Sequence, residues 1–337
     1  MSYKVITEHK NIDINNWSNF VENHPNGNVF QTQEMYEVYK YPKHWNPVVL
    51  VVEEDGGKIV GSLLAVIQSE RSGIVGKFSA RSIVWGGPLI ENNNLDVLDL
   101  ILKEYNRLLK NEAIYSQFRN LWEVSEFNKI FHKFGYEHKE HLNILIDLKK
   151  TEDGLWKEVH SKRRNEIRRA IKEGVVVKEL HSEKDVELSY QILREIYQRA
   201  KLPFAEFTFF LNAYKILKKN NLIKFFGAYY ENELIGTMYI LCYKNRMYDW
   251  YAGSYNKFYN KYPNDLLPWE VFKNGKLNNF EIFDFGGAGK PGVPYGVRDY
   301  KKKFGGEFVN FGRYEKIHNE VLYKIGKAGL KLYKRLI

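Results

Sequence analysis

The segment that most constrains this chain is the glycine-rich stretch 280–306, which reads FEIFDFGGAGKPGVPYGVRDYKKKFGG. It begins with the apolar and polar alternation of a β-strand, and this pattern ends at Gly286. A loop with five glycines and two prolines follows. Glycine loses more backbone freedom on folding than any other residue, so the density predicts a backbone that approaches a ligand closely or adopts positive φ. The alternative is an ordinary solvated loop, because glycine clusters usually mark turns.

A basic run, Arg298–Lys303, comes directly after this loop. Its cations would place positive charge next to the loop, where phosphates or a carboxylate could bind. An ordinary basic helix is the alternative. We therefore regard Arg298 as a candidate substrate-binding residue.

Length and charge narrow the class of protein. A chain of 337 residues predicts two domains, and 44% hydrophobic with 15% aromatic residues predicts packed cores rather than disorder. The net charge of +10 indicates an anionic partner such as nucleic acid, a phosphorylated ligand or a membrane surface. A lysine-rich surface without such a partner gives the same charge.

The single cysteine, Cys242, excludes an internal disulfide and a multi-cysteine zinc site, and it fits a reducing cytoplasm. The N-terminal sequence MSYKVITEHK lacks the apolar core of a signal peptide. No run of about 18 apolar residues is present to span a bilayer. We expect a soluble, cytoplasmic and monomeric protein.

The predicted elements occur in the same order in both halves of the chain. Each half shows a strand, two helices, a hairpin, a strand, a helix and a strand, and the polar break Lys150–Gly154 separates the halves. This order predicts a mixed α/β fold with a first lobe at 1–150 and a second at 151–309. The split is expected near 148–155, and the C-terminal segment, from about 310 to 337, is expected to pack back on the first lobe.

The same order is used by acyl-transfer folds of the GNAT kind. Such folds carry a glycine-containing pyrophosphate loop between a central strand and a helix, where backbone amides hold the phosphates of coenzyme A. At that place, after Arg246–Gly253, this chain reads SYNKFYNKYPNDLL. The sequence therefore argues against a coenzyme A cofactor.

Other sites for cofactors and metals are not indicated. The sequence has no GxxxxGK[ST], HExxH or GxSxG motif. The loose pair His138 and His141 lies in a polar segment that is typical of a surface, so no metal site is predicted. A helix-like stretch carries five cations within Lys162–Arg169, and it is either a solvated face or a phosphate-facing helix.

Taken together, these segments resemble the FemABX family, the peptidoglycan interpeptide-bridge aminoacyltransferases that use aminoacyl-tRNA. The resemblance spans most of the chain and is carried by VFQTQEMYEVYK, WGGPLIEN, SKRRNEIRRAIKEGVVV, MYDWYAGS and above all FDFGGAGKPG with YGVRDYKKKFGG. The family writes the last element as a strand, a glycine turn and then Phe-Lys-x-x-Phe-Gly. Tyr300, Lys301, Phe304 and Gly305 occupy those places here.

The resemblance implies two GNAT-like lobes without a coiled-coil arm, as in the FemX-like kind. It also implies transfer of an amino acid from aminoacyl-tRNA to an amine of a UDP- or lipid-linked muropeptide, or of a related envelope molecule. An aminoacyl ester is already activated, so the reaction requires no cofactor. The protein has to orient the amine and stabilise the oxyanion.

The resemblance also implies roles for particular residues. Lys301 would support the developing charge, or the terminal ribose and phosphate of the tRNA. Glu91 stands where the family places an acidic residue that accepts the amine proton or holds the ammonium. An exposed loop carboxylate without a catalytic role is the alternative for Glu91.

Substrate-binding roles are implied for Tyr251 and Tyr300, which would line the acceptor cleft, and for Lys40, which would bind phosphate. The chain departs from the family pattern near Lys40. Met35 replaces the usual tryptophan, and Lys40 itself is displaced by one position.

Two other functions stay open from the sequence. The first is a coenzyme A-dependent N-acyltransferase acting on an amino sugar or another amine in envelope polysaccharide synthesis. The second is a non-catalytic protein that binds tRNA or an envelope molecule.

The C-terminal segment NEVLYKIGKAGLKLYKRLI places apolar residues at near-helical spacing among lysines. Its apolar stripe would dock on the first lobe, or the basic helix would rest on the anionic inner leaflet of the membrane.

Overall fold

In a computed structural model of the chain, the structure describes residues 2–69, 76 and 79–326. The chain divides into two compact units, residues 1–140 with 311–337 and residues 141–310. Each unit is built around one mixed β-sheet with helices packed against it. The predicted mixed α/β class is therefore what the structure shows.

The sheet of the first unit contains seven strands from the N-terminal part of the chain. These are β1 (Tyr3–Ile6), β2 (Trp45–Glu54), β3 (Ile59–Gln68), β4 (Arg81–Trp85), β5 (Leu89–Ile90), β6 (Tyr115–Arg119) and β7 (Glu137–Lys139). The helices of this unit are α1 (Ile14–Asn23), α2 (Gln33–Tyr39), α3 (Leu95–Leu109) and α4 (Asn128–Lys133). Only β4 and β6 pair in parallel; the other pairs are antiparallel.

The core of the first unit lies between its sheet and α3. Asn94 caps this helix by accepting from the amides of Asp96 and Val97, and the apolar residues that follow recur at helical spacing. They bury one face of the helix: Val97, Leu98, Ile101, Leu102, Tyr105 and Leu109.

Side chains of the N-terminal motif VFQTQ bind the backbone of two strands of this unit. Gln31 is fully buried, and its amide donates to the carbonyl oxygens of Leu64 (3.0 Å) and Trp85 (2.8 Å) while it accepts from the amide of Leu64 (2.8 Å). Asn28 donates to the carbonyl oxygen of Gly86 at 2.6 Å. The motifs VFQTQ and WGGP are thus joined by side chains that satisfy the backbone of β3 and β4.

The sheet of the second unit contains seven strands, one fewer than the first sheet, which is completed by a strand from the end of the chain. The seven are β8 (Asn143–Asp147), β9 (Val176–Leu180), β10 (Ile223–Tyr230), β11 (Glu233–Tyr243), β12 (Arg246–Ser254), β13 (Ile282–Gly287) and β14 (Glu307–Val309). Their order across the sheet is β14-β8-β13-β12-β11-β10-β9. The helices are α5 (Glu152–Glu158), α6 (Ser161–Lys172), α7 (Glu183–Arg199), α8 (Phe207–Leu217), α9 (Pro263–Leu277) and α10 (Gly296–Lys301).

After the second unit the chain returns to the first. Strand β15 (Arg313–Ile317) pairs with β6 on one side and β7 on the other. The division between the units falls between residues 140 and 141, earlier than the predicted 148–155. The reason is that β8 pairs with β13 and β14, so it belongs to the second sheet.

The structure describes only the beginning of the basic C-terminal segment. Residues 320–326 are helical, and Val321 and Ile325 are 67% and 54% exposed. Residues 327–337 lie outside the described residues, so docking and membrane contact both remain predictions. Within residues 2–69, 76 and 79–326, no helix combines the length and the hydropathy that a membrane span requires.

His318, one residue beyond β15, should make the first unit sensitive to acid. Its Nε2 lies 2.9 Å from Ser116 Oγ, and burial, followed by the charge of Lys316, lowers its pKa from 6.5 to about 4. Between these values the unfolded chain binds a proton that the folded chain does not, so stability falls as the pH drops from 6.5 to 4. Allowing for partial exposure of the ring, we expect His318→Asn to remove roughly 2 kcal/mol of this loss.

The free energy of urea unfolding at pH 4.5 and at pH 7 measures this effect. Exposed His132→Asn, on α4 of the same unit, is the control. The prediction is contradicted if the free energy of unfolding falls by the same amount between pH 7 and pH 4.5 in wild type and in His318→Asn.

Candidate active site

In the second unit two neighbouring strands pair over only part of their length, and we refer to the place past their last pair as the opening. β12 and β13 are parallel over three residue pairs, which end with Tyr248 opposite Asp284, and no pair joins them beyond that point. Asp249 is therefore the first residue of β12 past the last pair. Past the last pair, the facing backbone groups of β12 and β13 do not bond to each other and can bind other groups.

Lys301 reaches into this opening from the last turn of α10. Its Nζ donates to the carbonyl oxygen of Phe285 on β13 and lies 3.7 Å from Asp249 Oδ2 on β12. The side chains of Lys301 and Asp249 are only 13% and 12% exposed. An ammonium has three N–H donors, so these two contacts leave one for a substrate oxygen.

Two carboxylates flank the opening, and both have raised pKa values. Burial raises the pKa of Asp249 and of Asp284, and the charge of Lys301 partly offsets this effect. Asp284 accepts from the amide of Gly286 at 2.6 Å and from Asn143 Nδ2 at 3.2 Å. Asp284 is thus held in place by hydrogen bonds within the fold. Asp249 differs, because it lies beside a cation and its raised pKa makes it a better proton acceptor.

The helix that carries Lys301 is held in place by a buried ion pair. Arg163 on α6 pairs with Asp265 on α9, and its guanidinium lies 4.7 Å from the ring centre of Tyr300 and 5.5 Å from that of Phe304. Burial raises the pKa of Asp265 to about 6, although Arg163 opposes this shift. Tyr300 Oη donates to the carbonyl oxygen of Asn264 at 2.5 Å. The hydroxyl of Tyr300 therefore helps to hold α10 in place, and its predicted substrate-binding role stays a prediction.

The glycine loop is closed by the arginine that follows it. Arg298 donates to the carbonyl oxygens of Ala288 (3.3 Å), Lys290 (2.8 Å) and Val293. Gly289 has φ of +77°, and a Cβ there would lie 2.9 Å from the ring of Tyr295. The predicted positive φ is present, and the structure places the guanidinium of Arg298 on the loop backbone.

A cluster of aromatic side chains lies next to Asp249, and we call it the aromatic wall: Tyr251, Phe210, Phe204 and Tyr197. The ring of Tyr251 lies 4.9 Å from Phe210, 5.9 Å from Phe204 and 6.0 Å from Tyr197, measured between ring centroids. Burial raises the pKa of Tyr197 to about 12, and the neighbouring charge of Asp249 contributes to the shift. Tyr251 therefore lies close to Asp249, as part of a wall to which α7 and the segment after it contribute.

The other two predicted site residues belong to the first unit. Glu91 forms an ion pair with Lys58 at 2.8 Å, and Lys40 forms one with Glu37 at 2.9 Å. Both cations are at least half exposed, so such pairs contribute little to stability. The structure gives Glu91 and Lys40 local partners, and their proposed roles remain predictions.

Several cations of the predicted basic helix, α6, hold the fold together. Arg164 donates to the carbonyl oxygens of Trp156 (3.3 Å) and Lys157 (3.1 Å), and Arg169 binds Glu173 and Tyr262. The solvated and phosphate-facing interpretations therefore apply only to the exposed cations of α6. The side chain of Arg163 is 14% exposed, and its ion pair with Asp265 lies within the fold.

The segment from β12 to α9 has no glycine to form a pyrophosphate loop. Asn256–Lys261 forms a 3₁₀ helix, and Tyr262 at φ +56° begins α9. Its hydroxyl accepts from Arg169 Nη1 at 3.1 Å. Within residues 2–69, 76 and 79–326, no group of three His, Cys, Asp or Glu is placed to hold a metal ion.

The residues that sequence analysis missed are Asp284, Asn143, Arg163, Asp265, Tyr197 and Phe204. Asp284 gave one signal, because it is a lone carboxylate within the apolar run IFDF. Arg163 and Asp265 gave none, since their partners lie on different helices.

Comparison with known proteins supports the fold. A family described as "Acetyltransferase (GNAT) domain" matches residues 161–302. FemX has a similar structure (TM-score 0.73, 16% identity, 96% of this chain and 99% of that chain). L-PGS from Bacillus licheniformis is also similar (0.58, 17%, 94% and 96%), as is a tandem GNAT protein from the clavulanic acid biosynthesis pathway (0.59, 9%, 94% and 99%). No curated protein matches the chain in sequence.

These likenesses confirm the predicted fold. The chain consists of two GNAT-like lobes, and the GNAT match falls within the second lobe. The structural similarity to FemX agrees with the resemblance found in the sequence at the level of the fold alone.

Proposed function

We propose that this protein is an aminoacyltransferase that moves an amino acid from aminoacyl-tRNA to an amine of a peptidoglycan precursor or a related envelope molecule. The observation that carries the proposal is the Lys301–Asp249 pair at the opening between β12 and β13. The absence of glycine from the segment where GNAT enzymes bind the phosphates of coenzyme A supports a donor of another kind.

The proposed reaction joins the acceptor amine to the ester carbonyl of the donor. Asp249, with its raised pKa, takes the proton that the attacking nitrogen loses. The third N–H of Lys301 donates to the oxyanion of the tetrahedral intermediate. The ester C–O bond then breaks, the ribose oxygen of the tRNA takes from Asp249 the proton that the nitrogen lost and leaves as a hydroxyl, and an amide is formed. The role predicted for Glu91, which lies in the first unit, stays a separate proposal.

The acceptor we propose is a UDP- or lipid-linked muropeptide, and the setting is the cytoplasm or the inner face of the membrane. The aromatic wall of Tyr251, Tyr197 and Phe204 offers apolar surface with polar tips beside Asp249. Such a surface suits a polar ligand that carries an ammonium group.

A coenzyme A-dependent N-acyltransferase acting on an amino sugar is the second candidate. The GNAT family match over residues 161–302 and the similarity to a tandem GNAT protein favour it. The two candidates share the fold and differ in the donor.

A donor comparison tests the proposal. Purified protein is incubated with radiolabelled aminoacyl-tRNA pools or with radiolabelled acetyl-coenzyme A, each with UDP-muropeptide, lipid-linked muropeptide or glucosamine as acceptor. We expect label to move from aminoacyl-tRNA to a muropeptide. Transfer only from acetyl-coenzyme A would replace the proposal with the second candidate. Binding of charged tRNA without any transfer would indicate a non-catalytic protein.

A further inference from the structure

The peptide group between Phe285 and Gly286 lies where β13 leaves its regular pairing. Among the described strands, β13 pairs with β12 only as far as Asp284, and its pairing with β8 resumes at Gly287 after a register shift. Neither neighbouring strand therefore fixes the direction of this peptide group. Its carbonyl oxygen accepts the hydrogen bond from Lys301 Nζ, so another contact has to fix it.

The side chain of Asp284 makes that contact. Gly286 has φ of +68°, in the left-handed region that glycine adopts without strain, and its amide donates to Asp284 Oδ1 at 2.6 Å. A trans peptide group is planar, and its N–H and C=O point in opposite directions. Holding the N–H of Gly286 therefore also sets the direction of the carbonyl group of Phe285.

The carboxylate of Asp284 is itself fixed. Asp284 is 2% exposed, and both of its oxygens lie 3.2 Å from Nδ2 of Asn143 on β8. Asn143 is also the residue that pairs with Gly287, where the pairing of β13 with β8 resumes. A buried carboxylate without hydrogen bonds is unfavourable, so these bonds keep it in one place. Asp284 thus links β8 to the peptide group that Lys301 contacts.

Lys301 depends on this acceptor, because its side chain is a flexible four-carbon stem. The carbonyl oxygen of Phe285 accepts from Nζ, whereas Asp249 Oδ2 lies 3.7 Å away, beyond hydrogen-bond length. If the carbonyl group of Phe285 turned away, the ammonium would keep only the longer contact. Its remaining N–H would then no longer have a fixed direction.

We propose that Asp284 is a positioning residue for Lys301. It holds the amide of Gly286 and thereby keeps the carbonyl oxygen of Phe285 directed at Lys301 Nζ. The consequence for the reaction rests on the proposed function, in which Lys301 donates to the oxyanion. The placement of Nζ itself does not depend on that function.

Trace labelling of lysines with acetic anhydride, followed by digestion and mass spectrometry, tests the placement of Lys301 without any activity assay. We expect Asp284→Ala to raise the labelling rate of Lys301 about tenfold, as for the loss of one hydrogen bond to a charged group. Exposed Lys302, the next residue, is the reference within the same chain, and its labelling should not change. Single-turnover transfer from aminoacyl-tRNA should fall about tenfold in the same variant.

Two further variants separate the hydrogen bonds from the charge. Asp284→Asn keeps an oxygen that accepts from Gly286, and its amide can donate to Asn143 once that side chain turns over, so labelling and transfer should stay within about twofold of wild type. Asp147→Ala is the matched control. Asp147 Oδ1 accepts from the amide of Lys149 at 3.0 Å, with the same spacing of two residues, at the other end of the pairing between β8 and β13. It should leave the labelling of Lys301 unchanged.

Three results would overturn the inference: equal labelling of Lys301 in wild type and Asp284→Ala, labelling in Asp284→Asn as fast as in Asp284→Ala, or an equal rise for Lys302. If Asp284→Ala does not fold, Asn143→Ala takes its place, and unchanged labelling of Lys301 there overturns the inference. If wild type transfers no amino acid in the donor comparison while the labelling of Lys301 changes as expected, the proposed function fails and the positioning role stands. Transfer by wild type with unchanged labelling is the opposite case.

Discussion

Replacing Lys301 with alanine is expected to lower the rate of aminoacyl transfer about 100- to 1,000-fold, the usual loss when one donor to an oxyanion is removed. Its Nζ lies between the diverging strands, with one N–H left for a substrate oxygen after its contacts with Phe285 and Asp249. The effect on stability should be smaller. Lys301 Nζ and Asp249 Oδ2 are 3.7 Å apart, beyond hydrogen-bond length, so breaking this pair costs less than breaking a hydrogen-bonded buried pair.

The measurement is single-turnover transfer from radiolabelled aminoacyl-tRNA, together with urea unfolding of the same samples. Lys302→Ala is the matched control, because Lys302 is the next residue and forms an exposed ion pair with Asp299. A Lys301→Ala rate within twofold of wild type would remove Lys301 from the catalytic site.

Arg163→Ala should cause the largest loss of stability of any substitution considered. It would leave the carboxylate of Asp265 buried without its cation, and breaking a buried pair in this way typically costs about 3–5 kcal/mol. It would also remove the guanidinium from the rings of Tyr300 and Phe304, which hold α10 in place. Aminoacyl transfer should therefore fall as well, although Arg163 does not contact the opening.

Urea unfolding at pH 7 measures the loss. Lys162→Ala, an exposed neighbour on the same helix, should change the free energy of unfolding by less than about 0.5 kcal/mol. The double variant Arg163→Met with Asp265→Leu should recover much of the stability, since an apolar pair of similar volume can replace a buried ion pair. If the double variant is less stable than Arg163→Ala, the ion pair is not the origin of the loss.

The sequence by itself determined those features that depend on residues close to one another in the chain. The alternation in IFDF and the glycines after it predicted a strand, a loop with positive φ and a basic helix. The structure has β13, Gly289 at φ +77° and α10 at these places. The repeated order of elements was enough for the two-lobed α/β fold. Periodicity, turn residues and element order depend on neighbouring residues, so they can be interpreted without knowledge of the packing.

Only the tertiary structure decided which side chains meet. Asp249 faces Lys301 because β12 and β13 stop pairing after Tyr248 and Asp284, and no pattern along either strand marks the point of divergence. Arg163 and Asp265 stand 102 positions apart, so the sequence shows a cation of a basic helix and a carboxylate near the start of another helix, but no pair.

The same limit applies to the backbone contacts of two predicted binding residues, whose binding roles stay predictions. Tyr300 and Arg298 lie in a motif that suggests ligand contact, and in the structure they bond to the carbonyl oxygens of Asn264 and of the glycine loop. Side-chain type sets what a residue can bind. Packing decides whether a neighbouring carbonyl or carboxylate reaches it first, and such a neighbour comes from any part of the chain that the fold brings within about 3 Å.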